Sequence, residues 1–143
     1  MRRFGERGLI GLPWWLLSMT FAKRVFLIAG VYGLIVLLPL YFLEAKTGID
    51  YPPAITHPEY YYGFIGVGVA WQLVFFIIAG DPIRYRPIML AAIVEKASFG
   101  LPAIVLFLMG RLHLQMLLAG LIDMSLGVLF IMAYARTAAS KSQ

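Results

Sequence analysis

Residues 91–100, AAIVEKASFG, set Glu95 beside Lys96 in a run that is otherwise almost wholly apolar. Two further polar groups interrupt comparable runs, Gln72 in AWQLVFF and Asp123 in LIDMSLG. A carboxylate and an ammonium among hydrocarbon can form a buried ion pair, carry a proton, or hold the polar end of a lipophilic ligand. Each isolated Asp or Lys at the centre of a bilayer costs about 2.5–3.5 kcal/mol on insertion scales. Glu95, Lys96 and Asp123 are therefore expected to face the protein interior and to meet there, with Gln72, as one polar centre.

Positioning such a centre requires membrane helices, and the composition supplies them. The 143 residues are 62% hydrophobic and only 13% charged, with a mean hydropathy of +0.85. Soluble domains are nearer about 45–50% apolar and about 25% charged. A crossing helix needs about 20 apolar residues, and four stretches qualify, at about 25–43, 60–79, 88–109 and 112–134. The expected fold is an all-α membrane protein. It would be an antiparallel bundle of four transmembrane helices in a single integral membrane domain, residues 1–143.

Depth and facing bring the polar groups together. At about 1.5 Å per residue, Glu95, Lys96, Gln72 and Asp123 fall within about 5–8 Å of one another in depth. On the fourth span, residues 113, 116, 120, 123, 127, 131 and 134 share a face, on which Gly120 and Gly127 flank Asp123 and allow close helix approach. On the third, Ala92, Lys96, Phe99 and Ala103 share one stripe, while Ala91, Glu95, Ser98 and Pro102 make the adjacent one. Lys96 is thus expected to reach Asp123, with Glu95 turned towards Gln72 or the first span. Pro102 leaves the carbonyl of Ser98 without its helical donor.

Basic residues set direction. With the N-terminus inside, Arg2, Arg3, Arg7, Lys23, Arg24, Arg84, Arg86, Arg136 and Lys141 fall on the cytoplasmic side, against Lys46 and Arg111 outside. Both termini are expected to be cytoplasmic, in the cell membrane. The net charge of +5 is spread between apolar runs rather than along one stripe, so it speaks for orientation and not for nucleic acid. Residues 1–22 have the basic start and short apolar run of a signal peptide. Cleavage would leave Lys23 and Arg24 outside, against that bias, so 9–22 is expected to be an interfacial helix with Trp14 and Trp15 at headgroup depth.

The loops offer weaker signals. In GDPIRYRP, residues 80–87, Gly80 is expected to close its helix in a left-handed cap and Pro87 to open the next. Asp81 can accept backbone amides or pair with Arg84 or Arg86, and the two arginines can meet a lipid headgroup or a partner. The outer loop, 44–59, is expected to be held extended by Pro52, Pro53 and Pro58. His57, Glu59 and His113 lie on one side, without the spacing of a metal site. There is no cysteine, and no nucleophile, metalloprotease or phosphate-loop motif. The expectation is of no cofactor, no metal and no catalysis.

The layout resembles that of the small multidrug resistance exporters, short four-span chains with a membrane glutamate. Their glutamate lies in the first span, which is uncharged here, so no residue carries across. The function expected is that of a non-enzymatic accessory or lipophilic-ligand-binding protein, in contact with membrane lipid and with other membrane subunits or copies of itself. The competing reading is a proton-coupled small-molecule transporter acting as an oligomer, with Glu95 or Asp123 as carrier.

Overall fold

The computed structural model describes residues 14–138, and within them five α-helices and no strand. These are α1 (Trp14–Leu37), α2 (Glu44–Asp50), α3 (Pro58–Gly80), α4 (Arg86–Leu108) and α5 (Leu114–Ala138), with a 3-10 turn at Leu38–Phe42. Four helical stretches are long and apolar enough to cross a membrane: Met19–Phe42, Pro58–Gly80, Arg86–Leu108 and Leu114–Thr137. Their outward faces are hydrocarbon, with Ile35, Val67, Val94, Leu118 and Ile131 all more than half exposed. That is the surface a bilayer would cover, and it makes the chain a multi-pass membrane protein.

The helix ends follow local chemistry. Pro39 cannot donate to the α-helical ladder, and α1 tightens into the 3-10 turn around it. Pro58 opens α3 and Pro87 lies in the first turn of α4, where a missing N–H costs nothing. Gly80 does not take the left-handed conformation expected of it; among the described residues the only glycine at positive φ is Gly110, at 69°, which ends α4. α4 is closed by Arg111 N–H bonding back to Leu106 O at 2.9 Å, so the cap needed there falls to Gly110. The α3–α4 turn is shaped instead by Asp81, whose Oδ1 accepts the Arg84 N–H at 3.1 Å.

Two expectations change. Residues 14–22 are not separated from the first span; they are the opening turns of α1, which passes through Lys23 and Arg24 without a break. Residues 9–13 of the expected interfacial helix, like Arg2, Arg3, Arg7 and Lys141, lie outside the described residues. The outer loop is not extended throughout, because 44–50 form α2. Its helical turns carry a Lys46–Asp50 pair at 2.7 Å and are tied to α3 by Tyr62 Oη donating to Glu44 Oε2 at 2.7 Å. Asp50 holds the Lys46 ammonium above its ordinary range, chiefly through that hydrogen bond. The prolines act only beyond α2, over 51–57.

α1 packs on both α3 and α5, and α4 packs on α5, whereas α3 and α4 touch only sparsely. The core is aromatic: Phe26, Phe75 and Phe130, from α1, α3 and α5, are fully buried, and the rings of Phe26 and Phe130 stack at 4.2 Å. Between α4 and α5 the packing is backbone-close, and a Cβ on Gly120 would collide with that of Ala103. At the end holding the α3–α4 turn, the Arg86 guanidinium lies 3.7 Å from the centre of the Tyr134 ring and its Nε donates to Tyr134 O at 3.1 Å. Arg136 stands 4.3 Å over Phe21. Arg86→Ala should lower stability by about 1–3 kcal/mol, from the lost cation–π contact and charged hydrogen bond. Thermal unfolding in detergent is the check, and an unchanged melting temperature would show that the arginine contributes nothing to the bundle.

Candidate functional site

The polar centre is built by α4 and α5. Met89, Ala92, Lys96, Gly100 and Ala103 are the buried residues of α4, the 3–4 spacing of one inward face. On α5 the inward stripe runs through Gly120, Gly127, Phe130 and Ala133, with Asp123 at its edge. It departs from the expected face at Ile131, which is exposed, Phe130 taking its place in the core. Gly127 leaves room for the Lys96 Cβ, at 3.4 Å from an ideal Cβ built on the glycine.

Lys96 is 6% exposed. Its Nζ lies 3.2 Å from Asp123 Oδ1, and 3.4 Å and 3.3 Å from Oε1 and Oε2 of Glu95. The Phe75 ring centre is 5.3 Å from the same ammonium. One cation is thus shared by two carboxylates and covered by an aromatic ring. Glu95 Oε2 is closed off from solvent and accepts no well-directed hydrogen bond. Tyr32 of α1 lies within electrostatic range of Asp123.

Gln72 is buried, as expected, but it does not join the triad. Its Nε2 donates to Gly68 O, one turn back on its own helix, at 2.7 Å, and its Oε1 has no partner among the described residues. The amide fills the hollow beside Gly33 of α1, where a Cβ would collide with it. Gly33→Leu should accordingly push α1 and α3 apart and cost about 1–3 kcal/mol. Gly33→Ala should cost less, because the flexible end of Gln72 can yield. Equal melting temperatures for both variants and the parent would contradict this packing.

Glu95 has a second side. Because α3 and α4 diverge, a groove of about 650 Å³ opens between them. Phe64, Gly68 and Trp71 wall it from α3, and Ala91, Glu95 and Ser98 from α4. The stripe expected to carry Glu95 beside Ala91 and Ser98 is the one that lines it. Its rims, at Val67 and Val94, are among the exposed residues, so it faces the surroundings of the bundle rather than an internal channel. Nothing in the sequence pattern singled out Trp71 or Phe64 for this role; each reads as an ordinary apolar position.

The remaining candidates separate. Arg86 is engaged by Tyr134, which leaves Arg84 as the exposed arginine of the α3–α4 turn. Asp81 binds the backbone of Arg84. His57 Nδ1 pairs with Glu59 at 3.0 Å, while His113 packs its ring against Tyr51, centroids 5.6 Å apart. Among the described residues no three of His, Asp and Glu come close enough to hold a metal ion. No family model, curated protein or solved structure matches the chain.

Proposed function

We propose that the chain is a non-enzymatic membrane protein that binds a lipophilic ligand in the groove between α3 and α4, by itself or as an accessory subunit of a larger assembly. The observation that carries this reading is the position of Glu95: an ionisable group on the wall of an otherwise apolar, aromatic-lined groove. Lipophilic-ligand sites have this form, apolar walls with few polar groups. The four spans form an antiparallel bundle in this reading. Its support is the opposed order of contacts, with Arg86 against Tyr134 and Lys96 against Asp123 on α4 and α5, and Phe26 against Phe130 and Phe21 against Arg136 on α1 and α5.

The α3–α4 turn and the neighbouring ends of α1 and α5 carry Lys23, Arg24, Arg84, Arg86 and Arg136 against Asp81 alone. The opposite end carries Lys46 and Arg111 against Glu44, Asp50 and Glu59. We place the basic end, with both termini and the first turns of α1, at the cytoplasmic face of the cell membrane.

The test is native mass spectrometry of protein taken gently from its own membrane. A small apolar adduct should accompany the parent chain, and Ala91→Trp, which fills the groove without removing a charge, should reduce its occupancy by about tenfold or more. Stoichiometric protein subunits with no adduct would leave the accessory role and remove the ligand. One observation favours a second reading, proton-coupled transport by an oligomer: two carboxyls share a single lysine, an arrangement that can exchange a proton. Proton flux into liposomes that disappears in Asp123→Asn would support it.

A further inference from the structure

We propose that the ligand of the α3–α4 groove is a lipophilic amine, held by its ammonium against Glu95. This rests on the ligand-binding reading above and assigns the chemical class. Charge is the first ground. With both carboxyls ionised, Glu95 and Asp123 carry one negative charge more than Lys96 balances, and the excess lies within a membrane span. Unbalanced charge at such depth is costly. A cation beside Glu95 removes the imbalance from the one side that is open, since Lys96 is directed inward to Asp123 and Phe75.

Hydrogen-bonding capacity is the second ground. Apart from the indole N–H of Trp71, the polar groups of the groove residues are acceptors. Glu95 Oε2, 3.3 Å from the Lys96 ammonium, accepts no well-directed hydrogen bond and is shielded from solvent, so a donor in the groove reaches the carboxylate through a turn of the carboxyl group. The Ser98 hydroxyl already spends its proton on Glu95 O, at 2.7 Å, so only its lone pairs remain. Pro102 withholds the N–H that would otherwise satisfy Ser98 O. An acceptor-rich wall calls for a donor, and an ammonium is both donor and cation. Phe64, Trp71 and Phe99 supply the aromatic rings that favour a desolvated cation nearby.

Depth excludes the commonest amine in a membrane. Glu95 lies nine residues into α4, about 13 Å along the helix from Arg86, whereas a phospholipid headgroup stays at the boundary of the hydrocarbon core. The occupant is therefore a compact amine with an apolar body that enters sideways from the hydrocarbon.

The experiment places the protein in phosphatidylcholine nanodiscs and counts bound dodecylamine and dodecanol by native mass spectrometry. The parent chain should bind dodecylamine more tightly than dodecanol. Glu95→Gln should weaken the amine by about 10- to 100-fold, the range for loss of a charge-assisted contact, and leave the alcohol unchanged. Ala91→Trp should block both. Should Glu95→Gln fail to fold, Glu95→Asp and the amine–alcohol contrast on the parent chain carry the test. Equal binding of amine and alcohol, both blocked by Ala91→Trp, would overturn the amine and keep the groove as a ligand site. Absence of both probes, or binding indifferent to Ala91→Trp, would remove the amine and the groove site together.

Discussion

Lys96→Met should be the most damaging single change to the bundle. Methionine fills a similar volume, but it leaves Glu95 and Asp123 facing one another with no cation between them. Breaking a buried pair by removing one partner costs about 3–5 kcal/mol, and here the orphaned partners are two like charges. The chain should express poorly in membranes or melt well below the parent. The companion variant isolates the cause. Replacing all three groups at once, Glu95→Gln with Lys96→Met and Asp123→Asn, removes every charge and should recover most of the stability, because apolar or neutral replacements of a complete buried ion cluster are often close to neutral. A triple variant as unstable as Lys96→Met alone would mean that the lysine stem and its packing, not its charge, hold α4 to α5.

Gly120→Leu ranks next. A Cβ at this position already collides with the Cβ of Ala103, and its next neighbours are the Cα and carbonyl oxygen of Gly100, both 3.7 Å away. These are backbone or rigid atoms, so α4 and α5 have to separate rather than adjust a side chain. Overpacking typically costs about 1–3 kcal/mol and more where the backbone must move, which places this variant at or above the upper end. Separation also lengthens the path from Lys96 Nζ to Asp123 Oδ1, now 3.2 Å, so packing and charge pairing are lost together. Gly120→Leu with Ala103→Gly returns space at the point of collision and should recover part of the melting temperature. If the double variant melts no higher than Gly120→Leu, the clash is not at this contact.

Much of this was legible in the residues themselves, and the limits have identifiable causes. The spans could be read because crossing length and hydropathy are local properties. The Lys96–Asp123 contact could be read because the depth of each residue and its place on its own helix are also local, and burial costs force the two to meet. Gln72 shows where that reasoning stops. Its depth was right, but the rotation of α3 about its axis depends on the hollow left by Gly33 on a different helix, which turns the amide away from the triad. The helical character of α2 was hidden by three prolines that act only downstream of it, while its anchor to α3, Tyr62, is far along the chain. The groove was the least legible feature, because which pair of helices fails to close is decided by all the side chains of the bundle together.

That failure to close has a mechanical meaning. α1 and α5 form the spine along which α3 and α4 are each attached, α3 through α1 and α4 through α5, and the two outer helices meet only sparsely. A bundle fastened along one edge is a clip, with its compliant direction across the free edge. In the proposed reading, acyl chains that crowd that edge would narrow the gap next to Glu95, and a looser bilayer would widen it. Lys96 and Asp123, 3.2 Å apart, join α4 to α5 on the fastened side, while Glu95 faces the free edge. In the ligand-binding reading, the packing of the bilayer would thereby bear on the occupancy of the groove.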